Sequence, residues 1–136
     1  MAALTADRNT KSKHMGRSIS LRVAASTEIF KGAQVRLNAT GFAIPGDDAA
    51  GGSDIQGVAE EHVDNSNGAD GDLRVRVRKG TFLFANNGNV VQATVGQSVT
   101  CVDDQTVGLA ADTTNDHTVG TVDDFSDEGQ VAVHIA

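Results

Sequence analysis

Apolar residues recur at every second position along much of this chain. In residues 18–25, "SISLRVAA", Ile19, Leu21 and Val23 alternate with polar or small neighbours. In "DLRVRVRKGTFLF" (72–84), Leu73, Val75 and Val77 alternate with Arg74, Arg76 and Arg78. A two-residue period is that of a β-strand with one face turned to a core. Further short strands are predicted near 33–37, 41–45, 55–62, 73–84, 90–95, 98–102, 106–111, 118–123 and 130–135. Turn signals separate them: Pro45-Gly46, the "DDAAGGSD" stretch at 47–54, Asn67-Gly68 and Asn87-Gly88. No segment carries a 3.6-residue apolar period, so helix is expected to be minor. The pattern predicts an all-β fold, a small β-barrel or sandwich that limits its exposed edges. Residues 1–17 are polar and precede the first strand. They are expected to form an extended basic N-terminal arm ahead of a single domain over 18–136.

The pattern also repeats. "KGAQVRLNATGFAIPGD" (31–47) is answered by "VGQSVTCVDDQTVGLAAD" (95–112), each with a glycine followed three residues later by valine. "DIQGVAEEHVD" (54–64) is answered by "HTVGTVDDFSD" (117–127), and "GDLRVRV" (71–77) by "GQVAVHI" (129–135). Three blocks in the same order predict two internally similar halves, about 27–89 and 90–136. In the last block Leu73, Val75 and Val77 match Val131, Val133 and Ile135, whereas the intervening arginines match Ala132 and His134. The fold therefore needs the valines and leaves Arg74, Arg76 and Arg78 free for a surface role. The first reading for them is cross-strand pairing with carboxylates. The second is an inter-subunit contact, and the third is nucleic acid.

Composition narrows the function. The 136 residues include five Phe and no Trp or Tyr, which leaves no aromatic platform for stacking bases or sugars. The net charge of −7 conceals an asymmetry: residues 1–40 carry +5 and residues 41–136 carry −12. A basic leader on an acidic body suggests two surfaces with different partners. Cys101 is the sole cysteine, so no disulfide forms within the chain, and its alternation in "SVTCV" predicts a buried small hydrophobe. No apolar run approaches membrane-spanning length and the opening segment lacks the apolar stretch of a secretory signal. A soluble protein made in a cytoplasm is expected, with no membrane partner.

Candidate chemistry is sparse. "DNSNGADGD" (64–72) places Asp64, Ser66 and Gly68 at alternating positions, but an EF-hand loop needs glycine where Ala69 stands and glutamate where Val75 stands. The acidic run Asp123, Asp124, Asp127 and Glu128, and its counterpart Glu60 and Glu61, have no neighbouring nucleophile. His14, His62, His117 and His134 show no metal-ligand spacing, and no phosphate loop or nucleophile elbow occurs. No catalytic residue, metal or cofactor is expected. The strongest functional feature is the arm: Arg8, Lys11, Lys13, His14 and Arg17 lie in a segment too polar to fold alone.

Taken together, the repeated phrase "IQGVAEEHVDNSNGADGDLRVRVRKGTFLF" and "VGTVDDFSDEGQVAVHI", with "STEIFKGAQVRLNATGFAIPG" ahead of it, resembles the capsid cement, or head decoration, proteins of tailed bacteriophages. The likeness covers roughly residues 18–136. It implies a compact β-barrel without enzymatic activity that binds the outside of an assembled icosahedral head, on the virion surface. It further implies a homotrimer at three-fold or quasi-three-fold positions that bridges neighbouring copies of the major capsid protein. On that resemblance Arg8, Lys11, Lys13, His14, Arg17 and Arg22 are expected to meet capsid carboxylates, and 18–25 to extend a neighbour's sheet. The rival readings are a nucleic-acid-binding β-barrel using the Arg74/Arg76/Arg78 face with the arm, and a small enzyme or sugar-binding module using the acids. The acidic pI of 4.8 and the missing aromatics weigh against nucleic acid.

Overall fold

The computed structural model describes residues 2–125 and 129–136, with side chains throughout except at 12–16. The described residues form eleven strands: β1 (Ser12–Arg22), β2 (Thr27–Ile29), β3 (Gln34–Leu37), β4 (Ala43–Pro45), β5 (Ile55–Ala59), β6 (Val63–Asn65), β7 (Arg74–Asn86), β8 (Ser98–Asp103), β9 (Thr106–Gly108), β10 (Thr118–Phe125) and β11 (Gln130–Ile135). Strand accounts for 48% of the chain and helix for 5%, so the fold is all-β as the alternation predicts.

Strand β7 is the spine. Thirteen residues long, it outlasts the strands beside it, and each of its edges is taken over by a second partner partway along. Its first part lies between β1 (Ile19 opposite Val77, Leu21 opposite Val75) and β5 (Ala59 opposite Val77). Farther on, β11 replaces β5 (Val133 opposite Phe82, Val131 opposite Phe84) and β9 joins in parallel at Ala85 and Asn86. The sequence β7–β11–β10–β8–β9–β7 closes a five-stranded barrel. Closure removes open edges from that half of the protein.

The first half follows the same path. β7, β5, β3 and β4 are neighbours in that order, and a parallel bridge from Ala43 to Val23, just past β1, returns the path to β7. The correspondence extends to single hydrogen bonds. Gly32 N–H donates to the Ala59 carbonyl as Gly96 N–H does to that of Val122, and Ala59 N–H donates to Ala33 as Val122 N–H does to Gln97. Gly57 faces Val35 in one half, and Gly120 faces Val99 in the other. The first two sequence blocks are thus in register with the structure. The third is displaced by two residues: the valine opposite Ala59 is Val77 and the one opposite Val122 is Val133, so Val77 corresponds to Val133 and not to Ile135. Alternation alone tolerates a slip of two, because it keeps every apolar side chain on the same face.

Each half encloses its own core. Val23, Ile29, Ala33, Val35, Ala43, Ala59, Val63, Val75 and Val77 fill the first. Phe82, Phe84, Val90, Val99, Cys101, Val107, Val119, Val122, Val131, Val133 and Ile135 fill the second, joined by Ile55 and Val58 from β5. The Cys101 thiol is fully buried, and burial, reinforced by the carboxylates of Asp103, Asp47 and Asp104, holds its pKa far above the ordinary value. It packs as a small hydrophobe and stays protonated at neutral pH.

The "DDAAGGSD" stretch is ordered by a side chain that alternation points away from the core. Arg36 lies between Val35 and Leu37 on β3, yet it is only 2% exposed because the loop folds over it. Its Nε donates to Asp47 Oδ1 at 2.9 Å, and its Nη atoms donate to the carbonyls of Gly51 (2.6 Å), Ala49 (3.3 Å) and Leu37 (3.4 Å). The loop then straps the two halves together. Asp48 accepts the N–H groups of Thr114 (2.8 Å) and Asn115 (2.9 Å), and Asp54 accepts that of Thr118 (2.9 Å). Burial, the largest single influence, raises the Asp48 pKa. The Thr114 and Asn115 donors, aided by nearby His117, together outweigh it and hold the carboxyl below its usual value. A depressed carboxylate contributes stability above its unfolded pKa and loses it as pH falls through the folded one. The Thr114 and Asn115 amides are therefore expected to lose hydrogen-exchange protection as pH falls through the depressed Asp48 pKa, below the ordinary aspartate range. Asp48→Asn keeps one side-chain acceptor for the two amides, so at least one of them should already exchange faster at neutral pH.

Three local differences from the alternation have physical causes. The first strand begins at Ser12, six residues early, because its backbone continues along β7 to Phe82 through two bulges. Residues 90–95 do not form a strand: Val90 plugs the second core, Val91 is 50% exposed, and a 3₁₀ turn covers Gln92–Thr94. The pair β2 and β6 forms a separate two-stranded ribbon too short to register as a periodic run.

Candidate functional site

The outward face of β1 and β7 gathers most of the cations singled out in the sequence. Arg22 stands directly opposite Arg74, Ser20 opposite Arg76, and Ser18 opposite Arg78. Their inward neighbours Leu21, Ile19, Val75 and Val77 pack on the first core, which fixes the arginines outward. At about 3.3 Å per residue, Arg74, Arg76 and Arg78 form a row of guanidinium groups roughly 7 Å apart, with Arg22 one strand away. Arg17 is exposed farther up β1 at its second bulge.

Neutralisation of this face is incomplete. Among the described residues Glu60 is the carboxylate that reaches it, 3.5 Å from Arg78 Nε and 4.0 Å from Arg76 Nε. Arg74 donates to Ser20 Oγ at 3.4 Å, and among the described residues neither Arg74 nor Arg22 has a carboxylate within ion-pair distance. The nearby acids are engaged in turns: Asp70 accepts Ala25 N–H and Asp72 accepts Ala69 N–H. Like charges directly across an antiparallel pair destabilise a sheet by a few tenths of a kcal/mol. The sheet carries that cost here on a chain with an excess of acid.

The remaining candidates scatter. The arm does not extend from the body: Leu4 packs on the first core and its N–H donates to Asp104 at 2.9 Å, while Arg8 N–H donates to Lys31. Arg8 is half-buried, and its Nη1 donates to Thr10 Oγ1 (2.6 Å) and the Leu83 carbonyl (3.2 Å). Lys11 is exposed, and its carbonyl accepts Leu83 N–H. The side chains of Lys13 and His14, and all of Asp127 and Glu128, lie outside the described residues. His62 pairs with Glu28 at 2.8 Å, and that bond raises its pKa. His134 contacts Thr81, and His117 the Ala49 carbonyl. In the loop at 64–72, Asp64 accepts from Ser66 and Asn65 donates to Ala24 and Ala69, so these groups hold the turn. Among the described residues no three His, Cys, Asp or Glu side chains are placed to hold a metal ion.

Two residues that matter were not distinguishable in the sequence. Arg36 reads as one more outward arginine until the loop closes over it, and Glu60 reads as part of an acidic pair until β5 sets it beside Arg78. Neither contact leaves a signal in spacing. What the face can do follows from its chemistry: a planar donor array on a rigid sheet suits a carboxylate-rich surface. No protein-family model, no curated protein and no solved structure matches the chain.

Proposed function

We propose that the chain is a non-enzymatic capsid cement protein of a tailed bacteriophage. It binds the outer surface of the assembled icosahedral head through the β1/β7 arginine face and bridges neighbouring major capsid proteins. Three copies group about a three-fold or quasi-three-fold position. The observation that carries this reading is the opposed Arg22/Arg74 pair, uncompensated on an acidic protein. An acidic surface that covers it relieves the repulsion, so the contact favours the assembled lattice over free subunits. Symmetry multiplies each modest contact.

The test is co-sedimentation with capsids. Arg22→Glu places a carboxylate opposite Arg74, and two effects of opposite sign are expected. The free protein gains a few tenths of a kcal/mol, read as a raised Tm. Capsid occupancy falls about ten-fold or more. Undiminished decoration by this variant would remove the face from the interface. A mobility shift of single-stranded DNA at low salt that fades steeply as salt rises would instead favour nucleic acid.

A further inference from the structure

We propose that Arg8 is the base of a binding site for a small oxyanion, phosphate or carboxylate, in the groove between the arm and the second barrel. Three features of the molecule converge on this side chain.

The first is its fixed position. Arg8 N–H donates to the Lys31 carbonyl at 2.8 Å, and Thr10 Oγ1 donates to the Gly32 carbonyl at 2.6 Å while accepting from Arg8 Nη1. Gly32 has a φ of +90°, and a β-carbon there would collide with the Arg8 carbonyl, so the arm lies directly on the glycine backbone. The second is its unused capacity. Of five guanidinium N–H donors, the Nη1 pair serves Thr10 and Leu83, and Nη2 and Nε have no protein acceptor among the described residues. No carboxylate there reaches Arg8, and burial lowers its pKa. A partly desolvated cation without a counter-charge is costly, and an entering anion relieves that cost.

The third feature is the space in front of it. A cavity of about 290 Å³ opens between Arg8, Asn9, Lys11, Leu83 and Gln130. A neighbouring recess is walled by Arg8, Asn9, Lys31 and Asp7, whose Oδ1 accepts Lys31 N–H. Lys11 lines the cavity and Lys31 the recess, and the amide side chains of Asn9 and Gln130 on the cavity wall can add neutral donors. A forked donor with flanking ammonium groups is the donor set of an oxyanion, and the volume admits phosphate with some of its water.

The experiment is a thermal-melt titration of the full chain with inorganic phosphate, with acetate, and with chloride at matched ionic strength. A saturable rise in Tm with an oxyanion and not with chloride is expected, about 5 °C at ten times the half-saturating concentration. Comparing phosphate with acetate decides which oxyanion the site prefers. Arg8→Gln should abolish the response. Gln130→Glu, which supplies a carboxylate from the cavity wall itself, should raise Tm in chloride and also abolish the response. Equal effects of all three salts, or a phosphate response that survives in Gln130→Glu, would overturn the site even where Arg8→Gln fails to fold. The titration uses no capsid, so its outcome is independent of the decoration reading.

Discussion

Gly120→Ala and Gly57→Ala are each expected to cost roughly 3 kcal/mol of stability, near the upper end for single substitutions. A β-carbon at Gly57 would stand 2.5 Å from the Arg78 carbonyl oxygen and 2.6 Å from Val77 Cγ1. At Gly120 it would press still closer on the carbonyl oxygen of His134. In both cases the obstacle is backbone of the adjacent strand, which cannot rotate away, so the strand must shift and weaken its ladder. The two sites are the same site twice: Val58 pairs with Arg78 beside one glycine, and Thr121 pairs with His134 beside the other. Urea denaturation should therefore give losses of similar size. Gly88→Ala is the control, since nothing lies within 4 Å and only its φ of +107° opposes a side chain. It should cost about 1 kcal/mol. A severe loss at Gly120 with none at Gly57 would contradict the equivalence of the two halves.

Arg36→Met is expected to destabilise by about 3 kcal/mol, by releasing the strap between the two halves. The methionine fills much of the same volume, so the loss reports hydrogen bonds and not a cavity. The carbonyls of Gly51, Ala49 and Leu37 lose their donor, and Asp47, itself 48% exposed, loses its partner to water. Asp48 and Asp54 then no longer hold Thr114, Asn115 and Thr118 in place. Denaturation followed by hydrogen exchange would show lost protection at 113–118 as well as at 47–54. A loss confined to 47–54 would mean that the strap does not couple the two halves.

The contrast between Arg36 and Arg74 shows how much of this protein is legible in one dimension. Both are arginines between apolar residues, and alternation assigns both an outward direction, correctly, although Leu73, which the same alternation turns inward, is 42% exposed just ahead of β7. Whether outward means water or a covering loop depends on residues 47–52, whose path no periodicity describes. The same limit applies to the arginine face. Alternation identifies Arg74, Arg76 and Arg78 as a row, but only the β1/β7 register places Arg22 opposite Arg74, and only the β5/β7 pairing places Glu60 beside Arg78. The arm shows the converse. Its polarity predicts a segment that lies on a partner, and the partner it meets is its own body, through Leu4, Arg8 and Thr10.

What the order of residues determined by itself is the all-β character, the duplicated halves and the facing of most of the longer strands. These follow from side-chain direction at a period of two and from glycines at matching places, and both are local properties of a chain. Tertiary structure alone decided that β7 serves both halves, that the third repeat is offset by two residues, and which cations remain without a counter-charge. Those depend on strand register and loop closure, where distant segments meet. A two-residue slip preserves the pattern of faces while changing every neighbour.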